Sequence, residues 1–165
     1  MVRLIIGIGI PGSGKSTYIN NIIAKSGGVR VSRDEIRFSM LKDGEDYFAK
    51  EKAVFTEFVE QIQELIESGE ATIYVDATHL NKISRVKLLN NLDLYKVDSL
   101  EAMYFEVSLE ECLRRNENRK NKGRTYVPRS VIRRMWTQME YPTYEEEYEY
   151  DVIMRVDEEG KLYYE

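Results

Sequence analysis

The sequence predicts an α/β fold in which a parallel sheet of about five strands is flanked by helices. Short apolar segments alternate with amphipathic ones along the chain, which is typical of strand-helix-strand units with right-handed crossovers. A glycine-rich turn joins the first apolar segment to the first amphipathic one. The 165 residues suffice for a buried core, and we expect residues 1–165 to form a single domain.

Five strands are predicted, because short apolar runs bounded by turn residues are typical of buried strands. They are Val2–Gly9, Val29–Val31, Ala71–Val75, Leu100–Val107 and Asp151–Val156. After the last strand, Glu158–Gly160 is predicted to be a turn.

The helices are predicted from apolar residues at helical spacing and from capping residues. Ser32 and Ser108 each precede a glutamate by three residues, which is capping-box spacing, and proline is favoured in a first helical turn. The predicted helices are Ser16–Ala24, one opening at Ser32–Arg37, Phe48–Ser68, Ser84–Leu92, Ser108–Asn118 and Pro128–Gln138. Two polar segments, Arg119–Val127 and Tyr141–Tyr148, are predicted as a loop and as a solvated connector.

The glycine-rich turn contains a complete Walker A phosphate loop, Gly9–Ser16, with the pattern G-x-x-x-x-G-K-[ST]. Glycines let successive backbone N–H groups curl around phosphate oxygens, and the following helix N-terminus adds partial positive charge. Lys15 is expected to reach the β- and γ-phosphates of ATP, and the Ser16 hydroxyl to ligate Mg²⁺. The predicted ATP-binding residues of the loop are Gly12, Ser13, Gly14, Lys15, Ser16 and Thr17.

Two carboxylates follow strands at the edge of the sheet where ligands bind in parallel α/β folds. Asp34 is positioned to accept a proton from an attacking hydroxyl. A structural role explains Asp34 equally well, because the helix dipole favours an acid in the first turn of a helix. Asp76 occupies the place of a Walker B acid, and no glutamate follows it, which disfavours a hydrolytic motor ATPase. His79 is the only histidine, so we expect a structural role and no zinc site.

The basic residues concentrate in one segment. Residues 114–134 contain nine lysines and arginines and one acid, a formal charge of +8, so the rest of the chain carries −13 against an overall −5. This asymmetry predicts a local anion-binding surface, with a solvated helical face as the alternative. Arg119 lies in this segment, and a planar guanidinium suits recognition of transferring phosphates.

Composition excludes several classes of protein. One cysteine, Cys112, excludes an internal disulfide, and no apolar run approaches the ~20 residues of a membrane span. We therefore expect a reducing, cytoplasmic setting and no membrane partner. Cys112 is expected to be a small buried hydrophobic residue and not a nucleophile.

The motifs resemble the kinase domain of polynucleotide 5′-hydroxyl kinases, both the phage enzyme and the kinase part of its eukaryotic counterpart. The matching segments appear in family order and span nearly the whole kinase module. They are Gly9–Thr17 (GIPGSGKST), Ser32–Arg37 (SRDEIR), Asp76–Asn81 (DATHLN), Arg115–Arg119 (RNENR), and Val127-Pro128 followed by Val131, Ile132 and Met135.

The resemblance implies an adenylate-kinase-like fold with a helical lid, and transfer of phosphate from ATP, with Mg²⁺, to the 5′-hydroxyl of DNA or RNA. It implies that Asp34 is the general base and that Arg37 contacts a phosphate of the acceptor. Arg119 would be the lid arginine on the ATP phosphates, and Lys15 keeps its role in catalysis.

Asp76 and Thr78 match the eukaryotic D-x-T-N pattern, which implies that they bind substrate. His79 stands where asparagine is usual in that pattern, and Ala77 stands where the phage enzyme has an acid. No phosphatase motif follows the kinase segments.

Other functions fit the same residues. A small-molecule or nucleotide kinase of this fold shares the framework, and so does a catalytically silent ATP-binding module. A GTPase switch is disfavoured, because Asn81–Ser84 and Asn121–Arg124 lack the aspartate of the base-reading N-K-x-D motif. The sequence leaves open the choice between DNA and RNA and the formation of a homo-oligomer.

Overall fold

The computed structural model describes residues 1–79, 81–120 and 126–165. Within these residues, six strands form one sheet in the order β2-β3-β1-β4-β5-β6. The strands are β1 (Arg3–Ile8), β2 (Val29–Ser32), β3 (Thr72–Asp76), β4 (Ser99–Phe105), β5 (Val152–Val156) and β6 (Leu162–Tyr164).

Helices lie between the parallel strands, and a 3₁₀ turn at Leu94–Lys96 precedes β4. The helices are α1 (Lys15–Ser26), α2 (Arg33–Met40), α3 (Glu51–Ser68), α4 (Lys82–Leu89), α5 (Leu109–Lys120) and α6 (Arg129–Gln138). Helix α4 starts two residues before the predicted Ser84 because Asn81 and Ser84 form a reciprocal capping box.

The predicted parallel α/β fold is confirmed, and strands β1 to β5 pair with one another in parallel. The sequence did not predict β6, which pairs antiparallel with β5 across the turn that follows Val156. Three residues are too few to show a strand period, so this edge strand has no recognisable sequence signal.

The predicted loop Arg119–Val127 is wrong at its start, because α5 continues through Lys120. The buried Asn116 stabilises this end of the helix: its side-chain amide donates to the Val127 carbonyl over 2.7 Å and accepts from the Val127 N–H over 3.1 Å. This reciprocal pair joins the end of α5 to the start of α6. Residues 121–125 of the predicted loop lie outside the described residues.

The core lies on both faces of the sheet. Helix α3 contributes Val54, Phe58, Ile62 and Ile66, which are all buried, as their helical spacing predicts. Cys112 is completely buried, and burial raises the pKa of its thiol to about 11. The thiol is therefore protonated and unreactive at neutral pH, in agreement with the expected role as a small hydrophobic residue.

A buried ion pair fixes the loop that follows β3. Arg85 is fully buried and donates through Nε and Nη2 to the two carboxylate oxygens of Glu146 over 3.0 and 2.8 Å. Its Nη1 donates to the His79 carbonyl over 2.8 Å. The prediction that Tyr141–Tyr148 is a solvated connector is therefore wrong at Glu146, because a buried arginine requires a carboxylate partner.

His79 connects the same loop to the centre of the sheet. Its backbone has a positive φ of 45°, which is unusual for a residue other than glycine. The ring is 4% exposed, and Nδ1 lies 2.8 Å from the carbonyl oxygen of Gly7 in β1. Burial lowers the pKa of His79 to about 3, so the imidazole is neutral at physiological pH.

We expect the free energy of unfolding to decrease as the pH falls below 6.5, because of His79. Between pH 6.5 and 3 the imidazole binds a proton in the unfolded chain but stays neutral in the native protein. The contribution of His79 to the free energy of unfolding is complete above pH 6.5, and below that pH it decreases by about 1.4 kcal/mol per pH unit. His79→Asn should remove that part of the acid slope, which urea unfolding at pH 7.5, 5.5 and 4.5 measures. Equal slopes for the variant and the wild type would show that the imidazole titrates normally.

Candidate active site

The candidate site lies at the carboxyl edge of the sheet, where three neighbouring strands end at the same level. Gly7 of β1 and Ser32 of β2 both pair with Asp76 of β3. The phosphate loop follows β1 and Asp34 lies in the first turn of α2, so both begin beside Asp76.

The phosphate loop depends on two glycines with positive φ, Gly12 at 86° and Gly14 at 89°. A Cβ atom at Gly12 would lie 2.4 Å from the carbonyl oxygen of Cys112, so no larger residue fits. Gly14 is the N-cap of α1, whose free N–H groups and dipole favour a bound anion. The loop therefore has the local geometry of a phosphate cradle.

Most of the predicted site residues meet in one small cavity at this loop. It is lined by Gly12, Ser13, Gly14, Lys15, Ser16, Asp34, Asp76, Thr78 and Arg119, together with Pro11, Ser32 and Ala77. Thr17 lines the adjacent larger cavity, and Arg37 lines a third one. The roles of these residues stay predictions.

Lys15 is buried and donates from Nζ to the Gly9 carbonyl over 2.6 Å. Burial lowers its pKa, while the nearby Asp76 and Asp34 carboxylates oppose that shift. The ammonium group is thus held inside the loop, close to the backbone N–H groups at the start of α1.

Ser16 and Asp76 supply the oxygen ligands that Mg²⁺ prefers. The Ser16 hydroxyl donates to Asp76 Oδ2 over 2.6 Å, so its lone pairs stay available for a cation. Mg²⁺ is usually held by one or two protein oxygens together with substrate phosphates, and these two side chains fit that pattern. Bound there, the ion would neutralise charge on the β- and γ-phosphates.

Arg30 is a member of the site that sequence reasoning missed. Its Nη1 donates to the same Asp76 Oδ2 over 3.0 Å, and the guanidinium also pairs with Glu35. Arg30 belongs to a four-residue strand, and no motif marks it.

Asp34 is held by two donors on one of its oxygens. The Tyr47 hydroxyl donates to Oδ1 over 2.7 Å, and Arg37 Nη1 donates to the same atom. Burial raises the pKa of Tyr47, so its hydroxyl keeps the proton that it donates. Among the described residues no hydrogen bond engages Oδ2, which leaves that oxygen available to a substrate hydroxyl.

Glu51, in the first turn of α3, holds Arg37 in place. Arg37 Nη2 lies 2.8 Å from both carboxylate oxygens of Glu51, and Arg33 donates to one of them. Arg37 is 5% exposed, and Glu51 fixes its guanidinium, which in turn orients the Asp34 carboxylate. Sequence reasoning missed Tyr47 and Glu51, because neither belongs to a motif and only the packing of α3 against α2 brings them to the site.

Two further cavities flank the phosphate loop. One of about 490 Å³ lies between α1, α5 and the β5–β6 turn and includes Tyr18, Asn21 and Arg119 in its lining. The other, of about 230 Å³, adjoins Asp34 and Thr78 on the opposite side; we call it the acceptor pocket. Its lining is Arg33, Asp34, Arg37, Tyr47, Phe48, Glu51, Ala77, Thr78, His79, Ser84, Arg134, Met135 and Gln138.

The predicted basic surface is partly neutralised where the structure describes it. Arg114 and Arg115 pair with Glu111, and Arg129 lies 3.6 Å from Glu117. Arg119 lines both the phosphate cavity and the 490 Å³ cavity. Lys122 and Arg124 fall outside the described residues.

None of the helices in the described ranges is both long enough and apolar enough to cross a bilayer. The same ranges contain no group of three or more histidine, cysteine or acidic side chains arranged to hold a metal ion.

Comparison with known proteins identifies the family. A family model described as "AAA domain" matches residues 4–142. Among solved structures, the chain is similar to one from the Pnkp1/Rnl/Hen1 RNA repair complex, with 23% identity and a TM-score of 0.68 over 83% of this chain and 43% of that chain. A second Pnkp1/Rnl/Hen1 structure matches with 25% identity and a TM-score of 0.59 over 68% and 38%. The chain thus spans less than half the length of both.

Two sugar-kinase structures match nearly end to end. A sugar kinase from Janibacter sp. HTCC2649 has 16% identity and a TM-score of 0.69 over 98% of this chain and 88% of that chain. A gluconokinase from Sinorhizobium meliloti 1021 has 18% identity and a TM-score of 0.58 over 93% and 81%. At such identities the similarity shows the fold. The chain belongs to the AAA domain family, and it shares its fold with a sugar kinase and a gluconokinase.

Proposed function

We propose that the protein is an ATP-dependent kinase that phosphorylates the 5′-hydroxyl end of DNA or RNA. The observation that carries the proposal is the position of Asp34. Its carboxylate lines both the phosphate cavity and the acceptor pocket, as do Ala77 and Thr78. A hydroxyl in the acceptor pocket would therefore meet Asp34 on one side and a phosphate on the other.

The reaction follows from this arrangement. Asp34 Oδ2 takes the proton of the acceptor hydroxyl while its oxygen forms a bond to the γ-phosphorus, and the bond from that phosphorus to the β,γ-bridging oxygen breaks to release ADP. Lys15 and the loop N–H groups stabilise charge on the phosphate oxygens. Tyr47 and Arg37 keep Asp34 oriented throughout, since both bind its other oxygen.

The lining of the acceptor pocket supports a polynucleotide acceptor. Phe48 is 36% exposed, and the Arg134 guanidinium lies 5.5 Å from its ring centroid. An aromatic ring paired with arginine is a stacking platform for a nucleobase. Arg33 and Arg134 line the pocket and are suited to contact phosphate oxygens, whereas the terminal nitrogens of Arg37 are already bound to Asp34 and Glu51. The similarity to a chain of an RNA repair complex agrees with this acceptor.

A sugar kinase is the second candidate. The end-to-end similarity to a sugar kinase and to a gluconokinase favours it. The same arginines would then bind the substrate's polar groups, and Phe48 would pack against its sugar ring. The two candidates differ in the number of substrate phosphates that the protein contacts, which is directly measurable.

We expect Asp34→Asn to lower the rate of phosphate transfer by ~10²–10⁴-fold with little change in ATP affinity, because the base acts on the acceptor. Tyr47→Phe should lower kcat by about threefold to tenfold, because it removes one of the two hydrogen bonds that orient the carboxylate while the bond from Arg37 remains. The matched control is Tyr104→Phe, which removes a hydroxyl that bonds Glu165 over 2.7 Å outside both cavities. Steady-state kinetics and ATP binding measure these effects. If Asp34→Asn lost ATP binding yet kept its turnover per bound ATP, Asp34 would belong to the nucleotide site.

We expect the KM of a 5′-hydroxyl oligonucleotide to rise steeply with potassium chloride. Each phosphate neutralised on a single strand contributes about 0.7 log units of affinity per log unit of salt. A nucleoside 3′-monophosphate should show a shallower slope, and a neutral sugar almost none. Labelled ATP with these acceptors and gluconate measures both turnover and slope. Two results together would contradict the polynucleotide proposal and favour the sugar kinase. They are an equal salt dependence of KM for the oligonucleotide and the 3′-mononucleotide, and faster turnover on gluconate than on either of them.

A further inference from the structure

Residues that line the acceptor pocket carry most of the unpaired buried polar atoms of the described chain. Four buried side-chain atoms of the described residues have no hydrogen-bond partner: Ser13 Oγ, Arg33 Nε, Arg37 Nε and His79 Nε2. The last three belong to residues that line the acceptor pocket. Buried polar atoms in folded proteins are nearly always paired, so three such atoms on residues of one cavity favour a ligand whose polar groups would complete them.

These three atoms require different partners. An arginine Nε–H is a donor only, so Arg33 and Arg37 each need an oxygen lone pair. The Gly7 carbonyl cannot donate, so the proton of the neutral His79 ring lies on Nδ1, which bonds that carbonyl over 2.8 Å. His79 Nε2 is therefore an acceptor and needs an O–H or N–H group.

Arg33 and His79 pack against the same aromatic ring. The Arg33 guanidinium carbon lies 5.9 Å from the centroid of Phe58, and the His79 ring centroid lies 6.2 Å from it. The positive charge of Arg33 also contributes to the low pKa of His79, as expected for neighbouring groups. A phosphodiester has only acceptor oxygens and cannot satisfy His79. A hydroxyl can donate a hydrogen bond to His79 Nε2, and its oxygen can accept one from an arginine Nε–H.

We propose that His79 Nε2 accepts a hydrogen bond from a sugar hydroxyl of the acceptor other than the one that reacts. This inference rests on the proposed phosphorylation of 5′-hydroxyl polynucleotides. At the 5′-terminal nucleotide, O5′ reacts and O3′ is in a phosphodiester, so the 2′-hydroxyl is the remaining sugar donor. His79 is thus a specificity residue that favours RNA ends over DNA ends.

The first test uses the wild-type protein and four 5′-hydroxyl oligonucleotides that differ only in the 2′-substituent of the terminal nucleotide. Hydroxyl and amino groups donate a hydrogen bond, whereas fluorine and hydrogen do not. Fluorine also keeps the sugar pucker of ribose, which separates donation from sugar shape. We expect kcat/KM for the two donors to exceed that for the two non-donors by about 5- to 100-fold, because the non-donors leave a buried acceptor unpaired.

The second test assigns the effect to His79. His79→Leu, which has no acceptor, should abolish the preference for the 2′-donors, whereas His79→Asn, with a side-chain oxygen, should retain part of it. Circular dichroism and ATP binding report whether each variant is folded, and if His79→Leu does not fold, His79→Gln replaces it as a second acceptor-bearing variant with altered reach. A folded His79→Leu protein that keeps the full preference overturns the assignment to His79.

The outcomes separate the two proposals. Equal kcat/KM for all four oligonucleotides in the wild type overturns the hydroxyl subsite and leaves the 5′-kinase proposal standing. If none of the four is phosphorylated while ATP binds, the polynucleotide proposal fails, and the 2′-hydroxyl inference fails with it.

Discussion

The parallel pairing of β3 with both β1 and β2 is the constraint on which the site depends. It sets Gly7, Asp76 and Ser32 at one level across the sheet, so that the phosphate loop and α2 leave the sheet side by side. A slip of one residue would turn every side chain of β3 to the opposite face. Asp76 would then lose its 2.6 Å bond to Ser16, and the loop would lose its link to the acid.

Three arginines with little solvent exposure are each paired with carboxylates. Glu51 and Asp34 compensate Arg37, Asp76 compensates Arg30, and Glu146 compensates Arg85. Removing one partner of such a pair costs more than the pair contributes, because a buried charge is left alone. The stability of the fold and the orientation of Asp34, the proposed base, are therefore coupled in this protein: the Glu51–Arg37 pair that joins α3 to α2 also holds Asp34.

Motifs and strand ends drew attention to residues that lie together in the structure. The phosphate loop, Asp34, Asp76, Thr78 and Arg119 line one cavity; those that follow strands meet there because parallel strands bring their carboxyl ends to one edge. Partners that depend on tertiary packing had no such signal. Tyr47 and Glu51 reach Asp34 and Arg37 only after α3 docks on α2. The resemblance suggested a phosphate contact for Arg37, and the structure adds a bond to Asp34 that spacing alone did not reveal.

Asp34 lines both the cavity at the phosphate loop and the acceptor pocket. Its proposed role as the base is tested most directly by a crystal structure with a non-hydrolysable ATP analogue, Mg²⁺ and a 5′-hydroxyl dinucleotide. We predict that the acceptor O5′ lies within hydrogen-bonding distance of Asp34 Oδ2, about 2.6–3.2 Å, and faces the γ-phosphorus in line with the bond that breaks. An acceptor bound with O5′ away from Asp34, or outside the pocket lined by Arg33, Phe48 and His79, would contradict the account.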